Sequence, residues 1–162
     1  MPEQGRFAVA LSAVLLLASA ASADFQTAYE AFNAGDYETA YAEWMPLAEE
    51  GSAAAQFNIG LLLDEGKGRE RDMKQAVEWY HRSADNGFAR AQFRLGELYE
   101  SGEDIVERDL ILARKWFAIA AEGKFKGAKK RMKMVAKSMT AGEIALGDMY
   151  AREFLVERKD KG

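Results

Sequence analysis

Few side chains in this sequence could do chemistry, and the lone histidine, His81, is the first to weigh. As a general base or metal ligand it would need a nucleophile, a carboxylate pair or further ligands nearby, and the sequence supplies none. One histidine and no cysteine exclude a His-rich metal site, thiolate catalysis and disulfides. Glu97 and Glu100 are of the type that cleaves glycosidic bonds in pairs, but they are only i,i+3 neighbours on one helix, with no substrate groove in evidence. Asp64-Glu65 and Glu103-Asp104 could hold Ca²⁺ weakly, yet neither has the alternating oxygen ligands of a calcium loop. Gly66-Lys67-Gly68 lacks the GxxxxGK[ST] pattern and follows a helix instead of a strand, so it reads as a turn and not a phosphate cradle. No catalytic residue, metal or cofactor is expected, and the chain is read as not an enzyme.

The remaining candidates belong to the elements that hold them. The run FAVALSAVLLLA at residues 7–18 is apolar and uncharged, follows Arg6 and leads to Ala21-Ser22-Ala23. That is the layout of a secretory signal peptide, residues 1–23, with cleavage expected before Asp24. The apolar core is shorter than the roughly 20 residues a membrane span needs. The expected location is therefore periplasmic or secreted. Residues 24–162 then make a single domain that must draw its core from helix packing.

Internal periodicity decides the architecture. Gly51, Gly87 and Gly123 are spaced by 36, and Ala53/Ala89, Gln56/Gln92, Phe57/Phe93, Gly60/Gly96 and Gly66/Gly102 match at that interval. One extra residue in the second loop moves Asp72/Asp109, Ala76/Ala113 and Trp79/Trp116 to 37. Apolar residues three or four apart predict two helices per unit, about Ala53 to Glu65 and about Asp72 to Asn86 in the first. Asp72 and Asp109 are expected N-caps. Gly51, Gly87 and Gly123 are expected left-handed helix ends, and Gly60 and Gly96 are expected to let paired backbones touch. Residues 24–50 form a degenerate hairpin in which Pro46 is expected to interrupt and bend the helix. A basic helix should run from Lys124 to Met139, and Thr140 with Glu143 has the capping-box spacing that starts a last helix at Ala141.

The runs Ala53-x-x-Gln56-Phe57-x-x-Gly60 through Gly66-x-Gly68, then Asp72-x-x-x-Ala76-x-x-Trp79-Tyr80-x-x-Ser83-Ala84-x-x-Gly87, resemble the Sel-one-like repeat, a relative of the tetratricopeptide repeat. Units 51–86 and 87–122 carry the resemblance, and 123–158 would be C-terminal capping helices. It implies an all-α, right-handed superhelix of about four antiparallel helix hairpins. It further implies an adaptor or regulator that acts through a protein partner in the bacterial envelope or secretion pathway.

Within such a stack, matched residues hold the fold and changed ones are free to face a partner. Trp44, Trp79 and Trp116 therefore read as packing and not as a ligand cage. The units differ at Ala54/Arg90, Asn58/Arg94 and Leu61/Glu97, which makes Asn58, Arg90, Arg94 and Glu97 the candidate contact residues. Charge is polarised: residues 24–66 hold nine acids and no Lys or Arg, whereas 124–137 hold seven basic residues and no acid. Lys126, Lys129, Lys130 and Lys133 form a basic surface that could meet an anionic membrane, a polyanion or the acidic end of the chain. No nucleic acid is expected, because export argues against it.

Overall fold

The computed structural model describes residues 25–160, so the expected signal peptide lies outside the described residues. Everything described is helix and turn. The order is α1 (25–34), α2 (Tyr37–Glu49), α3 (Ala53–Glu65), α4 (Met73–Asp85), α5 (Ala89–Ser101), α6 (Leu110–Glu122), α7 (Ala128–Val135), a 3-10 turn (Ala136–Ser138) and α8 (Ala141–Asp160). Paired antiparallel helices α3/α4 and α5/α6 form the central hairpins, and the stack continues through contacts of α2 with α3, α4 with α5 and α6 with α7. It is an all-α solenoid.

Each second helix begins on the same device. Asp36 accepts from the Thr39 amide at 3.1 Å, Asp72 from Gln75 at 2.9 Å, and Asp109 from Ile111 and Leu112 at 2.8 and 2.9 Å. These bonds satisfy amides that have no partner within the first turn. The Asp36 carboxyl is held below the ordinary aspartate range by the Thr39 side chain and then its amide, and that of Asp72 by the Gln75 amide and then its side chain. Asp36 thus gives the first hairpin the template of the other two. Residues 36, 72 and 109 are N-caps, and Ala40, Ala76 and Ala113 are all fully buried one turn later.

That register corrects the glycine pattern. Gly51 and Gly87 are left-handed at φ +98° and +87°, but Gly123 sits at φ −70° and Lys124 takes φ +58° instead. The slip to a 37-residue interval, introduced in the α5–α6 loop, is never undone in space. Lys124 inherits the position that Gly87 holds, at the steric cost a side chain bears there. Pro46 does not interrupt α2, which runs unbroken from Tyr37 to Glu49; three residues from the helix end, its missing amide removes only a late bond.

Hairpins close by a ring against a glycine. A Cβ on Gly60 would lie 2.8 Å from the Tyr80 ring, and one on Gly96 would lie 2.6 Å from the Phe117 ring. It is an aromatic ring, more than a second backbone, that the missing side chain admits. Tyr80 and Phe117 are fully buried, and Trp44 occupies the same register in α2, packed on Phe25 and Phe32. Between hairpins, buried Gln56 donates to the Ala48 carbonyl at 2.9 Å and Gln92 to the Ala84 carbonyl at 3.1 Å. Each such bond ties a first helix to a C-terminal carbonyl of the preceding hairpin, which also accepts a backbone amide from its own turn, Gly51 in one case and Gly87 in the other.

The C-terminal end departs from the template. The basic helix begins only at Ala128, because Lys124 and Gly127 both take left-handed conformations that turn the chain first. The expected Thr140–Glu143 capping box is present, with the Thr140 amide donating to Glu143 at 2.7 Å and the Glu143 amide to Thr140 Oγ1 at 3.3 Å. The helix it starts, α8, packs on α6 and not on α7. Gly147 passes the Ile111 carbonyl closely, and buried Arg114 grips Asp148 through two bonds of 2.9 Å while also donating to the Met132 carbonyl. Farther along, Phe154 meets Trp116 edge-on, and Arg158 donates to the Asn86 carbonyl.

Candidate functional site

Along α3, every residue from Ala55 to Asp64 is buried except Asn58 and Leu61, which with Ala54 lie on one helical stripe. The equivalent stripe on α5 is Arg90, Arg94 and Glu97. These are the faces that the two first helices leave to solvent after meeting their hairpin partners and neighbours. All four candidate contact residues therefore sit on adjacent stripes.

They do not sit there idle. Arg94 reaches back from α5 to α3, where its Nη2 donates to Asp64 Oδ2 at 2.8 Å. The same carboxylate accepts from the Tyr80 hydroxyl at 3.0 Å. Asp64 is only 9 % exposed, so this pair lies in a medium where an unpaired charge would be costly. Burial, followed by the Asp64 charge and its hydrogen bond, pushes the Tyr80 hydroxyl well above its ordinary range. Burial pulls the Arg94 guanidinium down, but the bond to Asp64 and the charges of Asp64 and Glu103 more than offset it. Glu103 takes the other side of Arg94 at 3.3 Å, while Arg71 bonds the Asp64 carbonyl at 2.8 Å and the Asp104 carboxylate at 2.7 Å.

One unit on, the pattern repeats at lower burial. Glu100 holds Arg131 at 2.6 Å, and Arg108 bonds the Glu100 carbonyl at 3.1 Å. An acid late in one first helix is thus bridged by an arginine from the next first helix, twice. Sequence reasoning missed both rungs. The available signal was that acid at 64/100 and arginine at 94/131 persist at repeat spacing while their neighbours change.

The other expectations distribute as follows. Arg90 is exposed and lies over the Phe57 ring at 5.1 Å, and Asn58 is half-buried. Glu97 is half-buried, and desolvation raises its carboxyl above the ordinary range; Arg94 and Arg131 lower it, and Glu100 and Glu103 raise it. Neither Asn58 nor Glu97 has an ion pair among the described residues. Asp64, Glu103 and Asp104, weighed for calcium, are engaged by arginines, as is Glu100. The tryptophans stay apart: Trp44 lies among phenylalanines, Trp79 under Arg82, and Trp116 against His81 and Phe154. His81 is half-buried, 3.3 Å from the Tyr99 hydroxyl. Lys126, Lys129, Lys130 and Lys133 are exposed on and beside α7. Between α6, α7 and α8 an open cleft of about 320 Å³ has Ala118, Ala121 and Ala151 in its wall and Lys129, Lys133 and Arg152 at its edge. No helix among the described residues is long and apolar enough to cross a membrane.

Comparison with known proteins gives one consistent picture. The family model described as Sel1 repeat matches residues 53–88 and 89–125. A Sel1 repeat protein from Oxalobacter formigenes is 32 % identical, with 70 % of this chain and 87 % of that one covered at a TM-score of 0.62. The structure of c5321, a protective antigen of uropathogenic Escherichia coli strains with an SLR fold, aligns over 87 % of this chain and 31 % of its own at TM-score 0.79 and 28 % identity. Among curated relatives, the ERAD-associated E3 ubiquitin-protein ligase component HRD3A of Arabidopsis thaliana is 37 % identical over 81 residues. The chitin synthase regulator SKT5 of Saccharomyces cerevisiae is 36 % identical over 64. These matches span 50 % and 40 % of this chain but only 12 % and 9 % of the relatives.

Proposed function

Because the chain belongs to the Sel1 repeat family, we propose that it is a non-enzymatic protein-interaction module whose binding face is the pair of stripes on α3 and α5. The observation that carries this is the division of labour along those helices. Most helical positions shared between units are buried, whereas Asn58, Arg90 and Glu97 differ from their counterparts and face solvent at least in part, and neither Arg90 nor Glu97 has an ion pair among the described residues. Arg94 belongs to the same face, but two of its nitrogens already serve the stack. The names of the relatives support the class: one is a component of a ligase and another a regulator of a synthase, each serving a protein other than itself.

We place the module in the bacterial periplasm or outside the cell, on the strength of the apolar run at residues 7–18 and the Ala-Ser-Ala that follows. A photo-crosslinking side chain placed at Asn58, Arg90 or Glu97 should yield discrete adducts in a periplasmic extract, while one at Lys74 or Glu78 on the exposed side of α4 should not. Equal labelling from α4 would remove the stripe as the binding face. Retention of the precursor in the cytoplasmic fraction would overturn the location alone.

A further inference from the structure

The two ends of the stack carry opposite charge and are kept apart within one chain by α3 to α6. On α7 and the 3-10 turn after it, four positions that pack within the stack in the earlier units have become lysine. Gln56 and Gln92 correspond to Lys129, Phe57 and Phe93 to Lys130, Gly60 and Gly96 to Lys133, and Asp64 and Glu100 to Lys137. These four lysines are exposed, Lys129 and Lys133 also lining the cleft shared with α6 and α8, and none makes an ion pair among the described residues. With Met134, which is 44 % exposed, they line an open groove of about 460 Å³. This is a helix-receiving face that its own chain leaves empty and that has acquired positive charge.

The complementary surface is on the same molecule. Glu38, Ala42, Met45 and Glu49 share one outward stripe of α2; all but the half-buried Met45 are exposed, and neither glutamate has an ion pair among the described residues. Two basic groups packed on α2 aromatics are engaged elsewhere: Lys67 pairs with Glu65 at 2.7 Å and lies over Tyr37, and Arg69 lies 3.9 Å over the Tyr41 ring. At 1.5 Å per residue the acidic stripe is about 16 Å long and the lysine stripe about 12 Å. Each puts a small or flexible apolar group, Ala42 and Met45 or Met134, between its charges.

We propose that the lysine face of α7 docks the acidic outer face of α2 in a second copy of this chain, so that copies associate head to tail. The two surfaces differ, so the contact is heterologous and extends instead of closing as a two-fold dimer. One helix laid on another buries less than the roughly 1,600 Å² of a standard interface, and exposed charges are screened over about 8 Å at physiological salt. The association is therefore weak and strongly salt-sensitive.

Sedimentation velocity of the purified protein tests this. At about 20 mM salt, where screening is weak, the weight-average mass should rise with concentration, and at 0.5 M salt it should return to the monomer. K130E/K133E and E38K/E49K should each weaken self-association by about tenfold or more at low salt, with circular dichroism unchanged. A one-to-one mixture of the two variants restores both charge matches and should recover association. Wild-type protein that stays monomeric at low salt overturns the proposal, as does association that survives in both variants or a mixture that stays dissociated.

Discussion

Helices α5 and α7 hold the same place in successive units, yet one accepts a hairpin partner and the other does not. Both bury an alanine on the preceding helix, Ala91 and Ala128, and both send an arginine back to an acid of the previous first helix. They part company on the hairpin face. There α5 offers Phe93 and Gly96 to the Phe117 ring, while α7 offers Lys130 and Lys133. The Phe117 ring can sit against Gly96 because nothing projects from it; over Lys133 a ring would meet a side chain, and its burial would desolvate a charge. The last helix is diverted onto α6, held by Arg114–Asp148 and Phe154–Trp116. The stack ends here with lysines on the hairpin face and a shorter helix, eight residues in α7 against thirteen in α5.

The largest effect expected from this comparison is at the glycine. Gly96→Leu should drive Phe117 from its seat and destabilise the protein by about 3 kcal/mol in urea unfolding, a typical cost of overpacking a core. Lys133→Leu, at the same register on α7, should change stability by no more than about 0.5 kcal/mol, as exposed substitutions do. Similar values for the two would mean that the ring and the glycine do not decide where the stack stops.

A smaller difference is expected between the two rungs. Arg94→Met leaves buried Asp64 with the Tyr80 hydroxyl and only a long 4.0 Å ion pair to Arg71, and should cost about 2 kcal/mol. Arg131→Met frees Glu100, whose side chain is 23 % exposed against 9 % for Asp64, and should cost less than about 1 kcal/mol. If the second loss equals the first, burial is not what grades the rungs.

The repeat, the Asp72 and Asp109 N-caps, the capping box and a close approach at Gly60 and Gly96 were legible in the sequence, because each rests on spacing within about one helix turn or one unit; that the approach is made by a ring and not a backbone was not. What escaped had longer causes. Gly123 matched Gly51 and Gly87 by interval, but the loop between α5 and α6 had already shifted the helices to a 37-residue register, so Lys124 occupies the left-handed position. The Asp64–Arg94 rung joins residues 30 apart and becomes visible only when first helices are laid side by side. The docking of α8 on α6 could not be read from its own pattern, since Gly147 and Asp148 gain meaning only against Ile111 and Arg114. Among the stripe residues, Arg94 shows that a residue changed between units can still be spent within the stack.

The smallest effect concerns the boundary between α4 and α6, where the two units again differ. His81 packs edge-on to Trp116 and beside Tyr99, whereas its counterpart Ala118 lies in the wall of the cleft beneath α8. Burial lowers the imidazole below its ordinary value of 6.5; Asp85 opposes that and Lys115 adds to it. A base held neutral in the folded state binds fewer protons than the same group in the unfolded chain, so stability rises with pH through this window. The contribution is complete above 6.5 and is lost as pH falls below it toward the depressed folded value. Partial solvent access keeps it under about 1 kcal/mol. Thermal melts between pH 7.5 and 5 should therefore show a modest fall that His81→Gln flattens. The N-cap carboxylates Asp36 and Asp72, also held below their ordinary value of 3.8, act with the same sign only at still lower pH. A wild-type melting temperature constant from pH 7.5 to 5, or an undiminished slope in His81→Gln, would show that the inner boundary is no more sensitive to protonation than the end of the stack.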